Sequence, residues 1–352
     1  SGGGQKNQYF FSAGYLNDKG IALESGYQRF NLRSNITSEM TSWLKGGVNM
    51  SFAHSMQNYP VSSDTKTSNV INAGRTMPGF YPIYEVNADG SLKTDANGEL
   101  IPDFGSYRPS GSTSNWNLPA TLPLDKSERM KDEFSGRTFL EVTFIPGLKF
   151  KTSFNFDLIN YNSLDFTNSL IGPSVTTGGG SSRVNTRTFS WTWNNIVTYD
   201  KTIGEHHFNI LAGQEAYSYR YDELSASRTK MALPDMPELV VGSQLTGGSG
   251  YRIDYALAGY FTQSKYFFSA SYRRDGSSRF APETRWGNFW SLGASWRIDR
   301  ENFMISTSDW LSALTLKASY GAQGNDNLGT YYASKGLYAI VSNLGENALF
   351  SD

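Results

Sequence analysis

The run Leu148-Lys149-Phe150-Lys151-Thr152-Ser153-Phe154-Asn155-Phe156-Asp157-Leu158 decides the reading of this chain. Successive side chains of an extended strand point to opposite faces. Leu148, Phe150, Phe154, Phe156 and Leu158 therefore fall together, and Lys149, Lys151, Ser153, Asn155 and Asp157 oppose them. One face is greasy and the other charged, a division that helical spacing would scramble. The same period of two sets Leu140, Val142 and Phe144 against Glu141 and Thr143. It also sets Trp290, Leu292, Ala294, Trp296 and Ile298 against Ser291, Ser295 and Arg297, and Phe30, Leu32 and Ile36 against Arg29, Asn31, Arg33 and Asn35.

Windows of this kind number about eleven: 8–17, 27–37, 44–56, 134–144, 148–161, 187–199, 206–219, 252–262, 266–275, 287–298 and 314–323. At roughly ten residues each they match the length that crosses a bilayer at a tilt. Their connections alternate. Short links fall at 41–43, 146–147, 201–205 and 263–265, with a longer one at 299–313, while 18–26, 57–133, 162–186, 220–251 and 276–286 read as longer loops. Short periplasmic turns alternating with long external loops are the pattern of an antiparallel up-and-down transmembrane β-barrel. On that reading Trp43, Tyr199, Tyr266 and Trp310 gather at the periplasmic rim, where amphipathic rings prefer to sit. The competing architecture is a large soluble β protein, which would have to bury its phenylalanine faces against each other.

Composition agrees with strands at an apolar boundary. Aromatic residues make up 14% of the 352 and charged residues only 18%. The net charge of −1 lacks the basic footprint of a nucleic-acid binder, so no nucleic-acid partner is expected. No window holds the roughly 18 apolar residues of a spanning helix. A mean hydropathy of −0.44 is no obstacle to a barrel, whose spanning strands are half polar. There is no cysteine. The sequence opens on Ser1-Gly2-Gly3-Gly4 with no apolar leader, so any targeting signal is expected outside it.

Several stretches then resemble one family. YFFSAGYLNDKGIALESGYQRFNLRSNIT from Tyr9 resembles an early barrel hairpin of SusC/RagA-family, TonB-dependent outer-membrane transporters. YFFSASYRRDGSSRFAPETRWGNFWSLGASWRI from Tyr266 resembles that family's barrel signature, and SYGAQGNDNLGTYYA from Ser319 and SWTWNNIVTYDKTIGEHHFNILAGQEAYSY from Ser190 extend the match. The segment 57–133 is the least family-like. The resemblance implies an importer integral to a Gram-negative outer membrane, of the kind found in Bacteroidetes. It would be a plugged barrel driven through TonB-ExbB-ExbD, taking oligosaccharide or oligopeptide from a SusD-like surface lipoprotein. Plugged transporters have 22 strands, so about eleven are half of one. Neither a plug nor a TonB box is recognisable here, and open sheet edges are not tolerated in hydrocarbon, which places the missing parts elsewhere. A passive porin or adhesin on the same barrel is the alternative, and a barrel-embedded hydrolase a more remote one.

Candidate contacts follow from residue type. In the segment 57–133, Tyr81, Tyr84, Tyr107, Arg108 and Trp116 can stack on sugars or peptide side chains and pair with carboxylates, although Tyr59 and its neighbours could equally pack the loop itself. Arg29, Arg33, Glu141, Lys149 and Lys151 are expected to face the lumen or a plug. Arg273, Arg274, Asp275 and Arg279 read as local ion pairing around an Asp275-Gly276 turn. Asn87-Ala88-Asp89-Gly90 and Asp95-Ala96-Asn97-Gly98 lack EF-hand spacing and read as tight turns. His54, His206 and His207 offer no chelating pair, since neighbouring strand residues diverge. No metal, cofactor or catalytic residue is expected.

Overall fold

The computed structural model describes residues 1–60, 70–76, 79–103, 117–204, 206–265, 268–307, 309–336, 338–343 and 346–351. Twelve strands form one sheet in strict chain order. They are β1 (Gly2–Gly3), β2 (Asn7–Lys19), β3 (Gly26–Glu39), β4 (Leu44–Asn58), β5 (Lys126–Ile145) and β6 (Leu148–Thr167), followed by β7 (Gly180–Ile203), β8 (His206–Met231), β9 (Gly242–Lys265), β10 (Phe268–Ser277), β11 (Trp286–Arg297) and β12 (Thr315–Ala322). Each pairs antiparallel with its neighbours in sequence, the up-and-down meander expected from the pattern. Each of the eleven sequence windows overlaps one of β2 to β12, in order, with one or both ends off by a residue or more, and β1 is a two-residue addition that the period could not show. A separate hairpin, β13 (Tyr338–Asn343) and β14 (Glu346–Ser351), follows.

Register turns the one-strand alternation into a two-faced sheet. Phe52, Phe134, Leu158 and Phe189 lie opposite one another on β4 to β7, one rung of a continuous apolar face. On the other face one rung reads Arg33, Ser51, Ser135, Asp157, Ser190 and Tyr219. Local packing pins the register. A Cβ at Gly136 would lie 2.3 Å from the Phe156 ring, so only glycine lets that ring lie across the neighbouring backbone.

The apolar face has no cover among the described residues. Phe154 is 39% exposed, Leu140 45%, Trp193 47% and Leu292 47%. Buried hydrophobic clusters are small and lie off that face's central band: Ala73, Leu118 and Leu122 in the connection after β4, and Leu164, Phe166 and Met231 near the far ends of β6 and β8. A soluble sandwich would bury its phenylalanines, and this sheet does not.

Strand lengths depart from the sequence reading. β7, β8 and β9 run 24, 26 and 24 residues, well beyond a bilayer's need. The loops expected at 162–186 and 220–251 are largely strand, which leaves connections of 168–179 and 232–241. Likewise β5 begins at Lys126 and β4 ends at Asn58, so the longest connection is 59–125 rather than 57–133. The reason is physical: in these outer portions both faces of the strand are polar, so the alternation that marks a strand vanishes. Asp275-Gly276 is also not the hairpin turn; both residues pair with β11, and the turn lies beyond Ser277. Gly276 serves instead to admit Trp286, whose ring would lie 2.9 Å from a Cβ there.

Candidate functional site

The polar face carries the candidate chemistry. Arg29, Arg33, Glu141, Lys149 and Lys151 all share it by register. Glu141 lies between Lys45 on β4 and Lys151 on β6 and sits 3.8 Å from the Lys149 ammonium. Lys151 stands 4.7 Å over the Phe139 ring. Arg33 and Arg137 line a hollow of about 360 Å³ with Asn35, Asn49, Ser51 and Ser135. No carboxylate borders it, and neither guanidinium has a hydrogen-bond or ionic partner among the described residues.

Further along the same face, the chain after β12 folds back as a strap. Tyr331 stacks on Tyr219 with ring centres 6.1 Å apart and meets Tyr255 edge-on at 5.6 Å. The Arg279 guanidinium lies between the Tyr255 and Tyr331 rings, at 4.8 and 4.5 Å. It also donates to the Asp326 carbonyl at 2.9 Å. The Asp326 carboxylate accepts from Ser277 Oγ at 2.8 Å and from the Tyr255 hydroxyl. Tyr332 completes the strap, accepting from the Asp254 amide at 3.0 Å. Burial opposes ionisation of Asp326, but the hydrogen bonds from Tyr255 and Ser277 and the charge of Arg279 outweigh it and hold the carboxyl below its ordinary range.

Beneath the strap, Arg273 bridges two strands. Its Nε donates to Asp275 at 2.6 Å and its Nη2 to Glu215 at 3.0 Å. Gly259 on β9 makes room, since a Cβ there would lie 2.4 Å from the Asp275 carboxylate. Arg274, on the opposite face, lies 5.6 Å over Trp286. Of the arginine cluster, then, Arg273 and Arg279 tie strands together on the polar face and Arg274 points away. Sequence reasoning missed Glu215, Tyr219, Asp326 and Tyr331. The alternation Tyr217, Tyr219, Tyr221 was a visible signal; the convergence of Asp326 on Ser277 was not.

The longest connection brings part of its candidate set into view. Tyr81 lines an apolar cavity of about 210 Å³ with Val70, Ala73, Leu118 and Leu122. Tyr84 pairs with Pro102 in a small ladder that continues through Val86 with Leu92 and Thr94 with Leu100. Tyr107, Arg108 and Trp116 lie outside the described residues, as does Tyr266 of the rim. Gly90 and Gly98 close tight turns at φ 84° and 86°. Asp95 Oδ1 accepts from the Asn97 and Glu99 amides at 2.8 and 2.9 Å, the hydrogen bonds of a tight turn. Asn117 donates to the Ile83 and Asp103 carbonyls at 2.7 and 2.9 Å, holding the two ends of the segment together. His54 meets Asp132 at 2.7 Å, and His207 approaches Thr202 at 3.1 Å.

Comparison with known proteins gives these features a setting. A TonB-dependent receptor of Formosa agariphila, P39, is 29% identical over 94% of this chain. The TonB-dependent receptor SusC of Bacteroides thetaiotaomicron is 27% identical over 96%. The structure of the RagAB peptide importer in its closed-closed state superposes on 99% of the chain with a TM-score of 0.80 and 25% identity. The chain is SusC/RagA-like. It covers 30% of P39, 34% of SusC and 38% of the superposed RagAB chain, so it spans about a third of the relatives it matches. No family model matches. This SusC/RagA-like chain carries both stretches that meet in the strap, around Ser277 to Phe280 and Asn325 to Tyr332.

Proposed function

We propose that residues 1–352 form part of the transmembrane wall of an outer-membrane nutrient importer, energised through TonB-ExbB-ExbD and fed by a SusD-like lipoprotein with oligosaccharide or oligopeptide. The observation that carries this reading is the uncovered apolar face. On β6 its members run from Leu148 to Leu158, about 33 Å of strand at roughly 3.3 Å per residue. At a tilt near 40° that is a band about 25 Å tall, the height of the lipid-facing belt of outer-membrane barrels. Leu316 and Tyr320 carry the band to β12 at 59% and 77% exposure, and a lipid-facing edge must be met by further strands. The plug, the TonB box and the remaining strands belong to other parts of the protein on this reading.

The polar face then lines the lumen, with the connections 59–125, 168–179, 232–241 and 278–285 outside the cell. Arg33 and Arg137, whose hollow no carboxylate among the described residues lines, offer a plug an anion-binding foothold. Tyr81, Tyr84, Tyr107, Arg108 and Trp116 are proposed to contact the cargo or the lipoprotein lid. Deletion of 59–125 abolishes lid or cargo binding on this reading while the barrel still inserts; unchanged uptake refutes it.

The decisive experiment places Trp193 in or out of the bilayer. In a full-length variant keeping Trp193 as sole tryptophan, lipids brominated near mid-chain quench its fluorescence strongly and water-soluble acrylamide does so weakly. The reverse order refutes a lipid-facing wall.

A further inference from the structure

Above the apolar band the strands continue, and the same face becomes polar. The rung beyond Phe52, Phe134, Leu158 and Phe189 reads His54, Asp132, Asn160, Arg187, Asp222 and Arg252 across β4 to β9. Here the surface opens into a groove of about 800 Å³, bordered by Asn160, Asn162 and Asn185, by Arg187 and Arg252, and by the carboxylates Asp132, Asp222 and Glu223.

Charge in this groove is unevenly matched. Asp132 is taken by His54 at 2.7 Å, and Asp222 by Arg252 Nε at 2.5 Å. Arg187 is exposed and has no hydrogen-bond, ionic or aromatic partner among the described residues. Asp222 faces it by register but is held by Arg252, and Glu223 accepts from the Tyr221 and Tyr251 hydroxyls, so among the described residues Arg187 is the groove arginine whose guanidinium holds no carboxylate. Its register partners are Asn160 on β6 and Asp222 on β8, and Asn162 and Asn185 oppose each other one rung higher, so three amides lie around it.

Height selects the ligand. Arg187 lies two residues beyond Phe189, roughly 7 Å along the strand, or about 5 Å above the edge of the hydrocarbon at the tilt used above. That is the level of lipid phosphates. A guanidinium fork suits a phosphate, and amides that both donate and accept suit sugar hydroxyls. We propose that this groove binds the phosphorylated sugar headgroup of an outer-leaflet glycolipid, with its phosphate on Arg187 and its hydroxyls on the three asparagines. The inference rests on the lipid-facing reading of the apolar band.

The test uses the full-length protein, stripped of lipid in detergent and titrated with diphosphoryl lipid A while native mass spectrometry counts bound lipid. Arg187→Ala weakens binding about tenfold, and Arg187→Lys, which keeps charge without the fork, falls between. Asn162→Ala weakens it about threefold. Lys317→Ala, on the opposite face, changes nothing. Equal binding by Arg187→Ala and wild type overturns the proposal, as does dephosphorylated lipid A or inorganic phosphate binding as tightly as diphosphoryl lipid A. Fluorescence of Trp193 is read in parallel on the sole-tryptophan protein reconstituted in brominated lipid. Loss of quenching there sinks the membrane wall itself, whereas intact quenching without phosphate selectivity sinks only the headgroup site.

Discussion

Phe154→Arg separates a lipid-facing wall from a solvated one. Phe154 lies six residues above Leu148 on β6, about 15 Å up a band roughly 25 Å tall, close to its midplane. An arginine at the midplane of a barrel's lipid face costs about 2–4 kcal/mol. The substitution also removes ring contacts with Trp191 at 6.1 Å and Phe156 at 6.4 Å, about 0.5–1.5 kcal/mol each. Phe154→Ala loses the same contacts, so the difference between the two variants isolates the burial of charge. In water that difference would vanish, because a side chain already 39% exposed can turn a guanidinium to solvent. Asn155→Arg, one residue along and on the opposite face, should cost no more than about 0.5 kcal/mol. The assay is reversible urea unfolding of the full-length protein from phosphatidylcholine vesicles. A gap below about 0.5 kcal/mol between Phe154→Arg and Phe154→Ala refutes the lipid-facing assignment.

Other consequences follow from particular contacts. Asn195 donates to Gln214 at 2.8 Å on the apolar face, about 10 Å above Tyr199. Gln214→Ala strands that amide in hydrocarbon and lowers stability by about 1–3 kcal/mol in the same unfolding assay, and the double change to leucine restores it. Tyr331→Ala removes two ring contacts and one face of the Arg279 sandwich. Amide exchange across 323–332 then rises by an order of magnitude or more while β8 to β10 stay protected; exchange confined to wild-type rates refutes the strap. The carboxyl of Asp326 is held below its ordinary value, so its contribution is present above the unfolded value of about 3.9 and is lost as pH falls through the lower folded one. Exchange across the strap should therefore rise on acidification below about pH 4 in wild type but not in Asp326→Asn, which lacks the titration.

What the sequence disclosed depended on whether the two faces of a strand differed. Between Leu148 and Leu158 they differ at nearly every step, and β6 was readable almost to the residue at its inner end. Beyond Asn160 the strand continues through Asn160, Tyr161, Asn162 and Ser163 with polar groups on both sides, and the pattern falls silent while the hydrogen-bond ladder does not. The same silence hid Arg220 to Met231 on β8 and Gly242 to Tyr251 on β9. Arg29, Arg33, Lys149 and Lys151 could be placed on one face from parity alone. Glu215 and Asp326 could not, because their meaning depends on strands 58 and 49 residues away in the chain.

The strap also shows why two stretches that look like local turns depend on each other. Ser277, Ser278 and Arg279 suggest a hairpin end, and Asn325, Asp326 and Asn327 suggest a loop; each reading is locally sufficient. Yet Arg279 has its rings from Tyr255 and Tyr331, and Asp326 has its hydroxyls from Tyr255 and Ser277. Removing either stretch leaves the other with a charged group beside aromatic faces and no counterpart. A wall whose apolar face offers no internal core must gain its rigidity elsewhere, and along β8 to β10 it gains it on the polar side, through this shared cluster. On the proposed reading, cargo moving past that face meets a surface fixed by cross-strand ties, with the tyrosine rings already ordered before anything binds.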